Sequence, residues 1–193
     1  SPDFVIDSTS LNITSFQKND ERIISSYYSD LFKSDKSGLV LFSSGSTGNP
    51  KAMVHDFDNL LSTYKGGKVK DLKFLVFLLF DHIGGINTFF HTIFNKGLIV
   101  SVKNRTIDNI INTINKHKVE LLPSTPTFLR LLLLKKSIKK IMPKCLKIIT
   151  YGTEMMDEHT LKNLNKYFPK INFRQTYGMS ELGIMRVKSR SNK

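Results

Sequence analysis

Between Leu39 and Phe173, apolar runs of strand length alternate with segments whose apolar residues recur at helical spacing. That alternation leaves few architectures open. Lys73 to Phe80, Leu98 to Val102, Val119 to Leu122, Leu146 to Thr150 and Ile171 to Phe173 read as buried strands, with Pro123 and Pro126 breaking the third. The intervening segments read as helices. One runs from Phe57 to about Tyr64, capped by Asp56 and ended by Gly66 and Gly67. Another spans Gly85 to Asn95, with Ile86, Phe89, Phe90, Ile93 and Phe94 on its apolar face. Thr106 caps a helix carrying Ile107, Ile110, Ile111 and Ile114; Thr127 to about Lys136 is strongly apolar; Asp157 caps a helix carrying Leu161, Leu164 and Phe168. The expected fold class is α/β, a mostly parallel sheet flanked by helices. In such folds ligands gather at the carboxyl ends of the strands. The loops after Phe42, Phe80, Thr150 and Phe173 are therefore the places to look for chemistry.

The first of these loops is the richest. Leu39 to His55 reads LVLFSSGSTGNPKAMVH, an apolar run expected to be a buried strand, then hydroxyls alternating with glycines, then Pro50 and Lys51. Glycines let backbone amides converge on an anion, hydroxyls add hydrogen bonds, and a lysine brings a mobile positive charge. It is not a Walker A loop, which needs glycine before the lysine and Ser or Thr after it; Pro50 and Ala52 stand there instead. The glycine spacing also excludes a dinucleotide fingerprint. On composition alone a Ser/Gly-rich surface turn remains the competing reading.

The other loops are weaker on their own. Gln175 to Glu181 (QTYGMSE) offers an aromatic for stacking on a base and a carboxylate for a divalent ion; an exposed turn fits equally well. Gly152, Thr153 and Glu154 offer groups for a base edge, or simply a strand-to-helix turn. His82, ahead of Gly84 and Gly85, lines a pocket or packs as an ordinary histidine. The five histidines and Cys145 show no metal-ligand spacing.

Bulk properties narrow the field less. The 193 residues suffice for one substantial core, and 14 phenylalanines argue against disorder. A single cysteine excludes an internal disulfide framework and fits a reducing, cytoplasmic setting. No signal peptide and no transmembrane run is visible. The formal net charge of +13 favours anionic partners, but without an aromatic-basic platform or recognition helix no nucleic-acid partner is expected.

Three stretches occur in an order that resembles the adenylate-forming (AMP-binding) enzymes, among them acyl-CoA synthetases, luciferases and peptide-synthetase adenylation domains. SSGSTGNPKAMVH is similar to their phosphate loop, YGTEM to their adenine-side stretch, and QTYGMSELG to their Tyr-Gly-x-Thr-Glu motif. The resemblance runs from about Gly38 to Gly183, and Phe80-Asp81-His82 is similar to the aromatic-histidine segment near the family's acyl pocket. It implies that Ser43, Ser44, Gly45, Ser46, Thr47, Gly48 and Lys51 surround the ATP phosphates. Gly152, Thr153 and Glu154 would border adenine, Tyr177 and Gly178 would lie against it, and Ser180 would approach the phosphate. Lys51, Thr47 and Glu181 become the catalytic candidates, with Glu181 also the magnesium ligand; His82, Gly84 and Gly85 would shape the acid pocket.

The implied cofactors are ATP and Mg2+, with coenzyme A or a carrier protein as acceptor, and the implied substrate is a small-molecule carboxylic acid. Departures from the family pattern are Ala52 and Thr153 where glycine or a small residue is usual, and Ser180 for threonine. Residues 1–37 are expected to be a polar lead-in, and 38–193 part of the large AMP-binding domain. The family's ribose-binding aspartate, hinge and C-terminal lysine-bearing domain have no counterpart here. The chain is accordingly read as a central fragment, inactive alone, of an enzyme activating a carboxylic acid to an acyl-adenylate. The alternative is a nucleotide-binding or regulatory module built on that fold.

Overall fold

Five of the expected strands pair into one all-parallel sheet in the computed structural model of the chain, which describes residues 4–6, 13–15, 26–44, 49–66, 71–135, 137–138, 142–179 and 183–185. Two compact units divide the chain, Ser1–Lys36 and Ser37–Lys193. In the first, β1 (Phe4–Ile6) pairs antiparallel with β2 (Ile13–Ser15), and α1 spans Ser26–Lys33.

The second unit begins with a hairpin. β3 (Gly38–Ser44) pairs antiparallel with β4 (Pro50–Asp56), in register from Gly38 opposite Asp56 to Ser44 opposite Pro50. The expectation of a buried strand at 39–42 is corrected here. Leu41 is buried, but Val40 and Phe42 are exposed, the alternation of a two-stranded ribbon with one covered face. α2 (Phe57–Ser62) follows, with Asp56 accepting the Asn59 amide at 2.9 Å as expected of its cap.

The main sheet is assembled from β5 (Lys73–Val76), β6 (Leu98–Ser101), β7 (Leu121–Ser124), β8 (Ile148–Tyr151) and β9 (Asn172–Gln175), in the spatial order β6-β5-β7-β8-β9. The helices between them are α3 (Ile83–Phe94), α4 (Ile107–His117), α5 (Pro126–Leu134) and α6 (Glu158–Tyr167). A last ribbon, β10 (Tyr177–Met179) with β11 (Gly183–Met185), lies against α3. Leu75, Ile110, Ile114, Leu122, Leu129, Ile149, Leu164 and Phe173 form the centre of the core.

Two strand limits and one helix face differ from expectation. β5 stops at Val76 rather than Phe80, and Leu79 and Phe80 are exposed beyond it. Apolarity alone does not separate a strand from the loop after it. β7 passes through Pro123 instead of ending before it. A proline has no N–H to donate, and the β5–β7 ladder consists of one pair, Phe74 with Leu121, upstream of it. On α3, Ile93 is exposed while Thr88 and Thr92 are buried. Their hydroxyls donate to the carbonyls of Gly84 and Thr88 at 2.8 and 2.7 Å, so each polar group is satisfied within the helix. α3 has a second covered face, where Ile83, Ile86, Phe90 and Phe94 pack with Leu41, Leu60 and Tyr64 beneath the β3–β4 hairpin. Burial pushes the Tyr64 hydroxyl up to about 12.

Candidate functional site

The chain order of the sheet reverses between β5 and β7. β5 leads through α3 to β6 on one side, whereas β7 leads through α5 to β8 on the other. Helices diverge at such a switch point and leave a crevice beyond the strand ends. A cavity is found there, lined by Leu78, Ile83, Gly84, Asn87 and Thr88 on the β5–α3 side. Pro123 and Ser124 of β7, Thr150, Gly152 and Thr153 of the β8 end, and Thr176 and Gly178 complete it. Its volume is about 50 Å³, against roughly 300–1,000 Å³ for a complete small-molecule pocket. The described residues thus furnish one narrow wall of a site, carrying glycines, hydroxyls and the Asn87 amide.

Of the residues singled out in the sequence, the structure brings Gly84, Gly152, Thr153 and Gly178 together in that wall. His82 does not join them. It stands exposed before α3, its Nε2 3.8 Å from the Asp81 carboxylate. Gly85 is buried rather than lining, because a Cβ there would lie 1.9 Å from the Leu79 carbonyl oxygen. Tyr177 is half-exposed on β10. Lys51 is exposed on β4, opposite Ser43, and Ser43 and Ser44 end β3. Gly45, Ser46, Thr47, Gly48, Ser180 and Glu181 lie outside the described residues. Among the described residues no group of three or more His, Cys, Asp or Glu side chains is placed to hold a metal ion.

The β8 end is held from behind. Thr176 donates its N–H (2.8 Å) and its hydroxyl (3.2 Å) to the Tyr151 carbonyl. Gly152 lies so close to Thr176 that a Cβ would meet its Oγ1 at 2.5 Å. Thr153 has φ +70°, a left-handed conformation uncommon for a β-branched residue; its hydroxyl donates to the Gly152 carbonyl at 2.6 Å.

Glu154 turns away to α5, where it accepts from the Thr127 N–H (3.0 Å) and hydroxyl (2.5 Å). Arg130 was not evident from the sequence. It reaches the same segment, donating to the Met155 carbonyl at 3.0 Å and to Asp157 at 3.2 Å. Asp157 caps α6 by accepting the Thr160 amide at 2.8 Å, and that bond, with help from Arg130, lowers its carboxyl to about 2.

A parallel sheet flanked by helices, with a cavity at its switch point, defines an α/β domain of the kind in which ligands gather at the strand ends. The chain belongs to the AMP-binding enzyme family, whose model matches residues 4–191. Among curated relatives, the 2-succinylbenzoate–CoA ligase of Bacillus pumilus is 26% identical over 160 residues, covering 78% of this chain and 31% of the ligase. The D-alanine–D-alanyl carrier protein ligase of Bacillus cytotoxicus is 23% identical over 158 residues, covering 77% and 31%. The fold also matches that of an O-succinylbenzoate coenzyme A synthetase from Bacillus subtilis in complex with ATP and magnesium ion. There the TM-score is 0.60 at 23% identity, over 74% of this chain and 30% of that one. The chain thus spans about a third of the length of these relatives. Among the described residues no helix is long and apolar enough to cross a membrane.

Proposed function

We propose that this chain supplies the nucleotide-binding part of an enzyme that uses ATP to activate a small carboxylic acid as its acyl-adenylate. The observation that carries the reading is the meeting of Gly84, Gly152, Thr153 and Gly178, from three separated stretches, at the switch point of the sheet. In this reading Gly152, Thr153 and Gly178 border the adenine, and Tyr177, half-exposed beside Gly178, supplies an aromatic face to it. The Ser43 to Gly48 loop and Lys51 surround the phosphates, offering amides, hydroxyls and one positive charge to the oxygens that gain charge as the α-phosphorus is attacked. Magnesium, held through Glu181, would further neutralise those oxygens.

The acid would enter beside Gly84, with the pocket extending toward the exposed His82 and with Gly85 packed behind it against Leu79. The acceptor is coenzyme A or a carrier protein, the two acceptors named by the relatives above. We place the protein in the cytoplasm, where ATP is abundant and its single thiol stays reduced.

Calorimetric titration of the chain with Mg-ATP, beside Lys51→Ala and Glu181→Ala, tests the nucleotide part. Saturable binding weakened at least ten-fold by each substitution is expected. No binding by the unsubstituted chain at millimolar ATP would overturn nucleotide binding as its property. Acid-dependent exchange of labelled pyrophosphate into ATP separates an adenylating enzyme from a nucleotide-binding module without catalysis.

A further inference from the structure

The segment that follows the cavity wall is fastened to α5 by one guanidinium. Arg130 donates through Nε to Asp157 Oδ2 at 3.2 Å and through Nη2 to the Met155 carbonyl at 3.0 Å. Its Nη1 donates to Thr127 Oγ1 at 3.3 Å and lies 3.9 Å from Glu154 Oε2. The Glu154 carboxylate is in turn gripped by the Thr127 N–H and hydroxyl. Residues 154, 155 and 157 are thereby all tied to α5, 25 to 27 positions away in sequence. A planar five-donor fork can span several acceptors at once in this way, and a lysine cannot. On the other side Gly152 is lodged against Thr176. Thr153 is the residue between these two anchors, and it alone of the three takes the left-handed φ of +70°.

A strained conformation of this kind persists only where its surroundings over-determine it. We propose that Arg130 is a positioning residue for nucleobase recognition. By pinning residues 154–157 it holds Thr153 in the left-handed conformation that makes it part of the cavity wall. This rests on the reading of that wall as the adenine side. Without the guanidinium the segment is released from Met155 and Asp157, Thr153 relaxes toward extended backbone, and the wall no longer matches one base. The side chain of Arg130 needs no contact with the nucleotide for this effect.

The experiment is titration of the full chain with Mg-ATP and with Mg-GTP, for the unsubstituted protein and for Arg130→Ala, Arg130→Lys and Thr127→Val. The ratio of the two dissociation constants is the readout, because general loosening of the fold weakens both nucleotides alike. The expected result is a preference for ATP that falls about ten-fold in Arg130→Ala, with Arg130→Lys intermediate. Thr127→Val, which removes one hydroxyl from the grip on Glu154, moves the ratio in the same direction and carries the test should Arg130→Ala not fold. An unchanged ratio, or equal weakening of both nucleotides, overturns the inference and leaves the nucleotide site standing. Absence of ATP binding in the unsubstituted chain removes both together.

Discussion

Two loops at the same edge of the sheet are held by opposite means. The segment after β5, residues 77–82, is fixed by close packing. Phe77 meets Phe128 and Phe80 meets Phe89, each pair with ring centroids 5.4 Å apart, and the Leu79 carbonyl rests where a Cβ of residue 85 would sit. The segment after β8, residues 152–157, is fixed by directed polar bonds from α5 to Glu154, Met155 and Asp157. Packing tolerates side chains that face water, and Leu79, Phe80, Asp81 and His82 are all exposed. Directed bonds set particular atoms in place, and only this second loop carries a non-glycine residue in the left-handed region. Packing fixes where a segment lies, whereas directed bonds also fix how its backbone turns.

Breaking the packed loop gives the largest expected effect. Gly85→Ala puts a methyl group 1.9 Å from a backbone oxygen, a clash that far outweighs the gain of roughly 0.5–1 kcal/mol from alanine in a helix. A loss of about 3 kcal/mol or more is expected, since overpacking typically costs ~1–3 kcal/mol and more against rigid backbone. Urea titration followed by circular dichroism measures it, and a midpoint equal to that of the unsubstituted chain would show that the loop moves aside.

Thr153→Gly probes the polar-bonded loop and acts in the other direction. Left-handed backbone costs an ordinary residue roughly 1–2 kcal/mol, partly offset by the greater unfolded-state freedom of glycine, roughly 0.5–1 kcal/mol. A stabilisation of about 0.5 kcal/mol is expected from the same titration. A loss instead would mean that the Thr153 hydroxyl matters more than the strain.

The smallest effect belongs to Asp157→Asn, because asparagine caps a helix about as well as aspartate and the charge it removes is half-exposed. The difference is expected at neutral pH and closes in acid, where the aspartate loses its charge. The folded carboxyl is depressed to about 2 from its ordinary 3.8, so the stability it contributes is fully present above pH ~4 and is lost as pH falls toward ~2. Urea midpoints between those pH values should fall less steeply in Asp157→Asn. Parallel acid limbs would contradict the assignment.

Much of this architecture was legible in the chain itself. Asp56, Thr106 and Asp157 cap helices where their side chains promised, each accepting a backbone amide three residues on. Ile110, Ile111 and Ile114 are buried as their spacing required. Strand limits were less legible, since apolar residues 77–80 serve the loop rather than the ladder. In the candidate site, glycine-rich stretches announce themselves locally, and Gly84, Gly152 and Gly178 do meet. The fastening of residues 154–157 had no local signal. Thr127 and Glu154 are 27 positions apart, as are Arg130 and Asp157, and only the βαβ geometry of β7, α5 and β8 sets them side by side.

Pro123 has a consequence for how the sheet yields. With one residue pair joining β5 to β7, while β5–β6 and β7–β8 are each joined at four, the sheet carries a seam down its middle. Side chains such as Leu75 and Leu122 bridge that seam within one core, so it resists separation through apolar burial more than through a hydrogen-bonded ladder. Such contacts weaken on cooling, whereas a ladder does not share that temperature dependence. The seam is thus where the sheet depends most on apolar burial and least on its ladder, and the cavity lies at its open end.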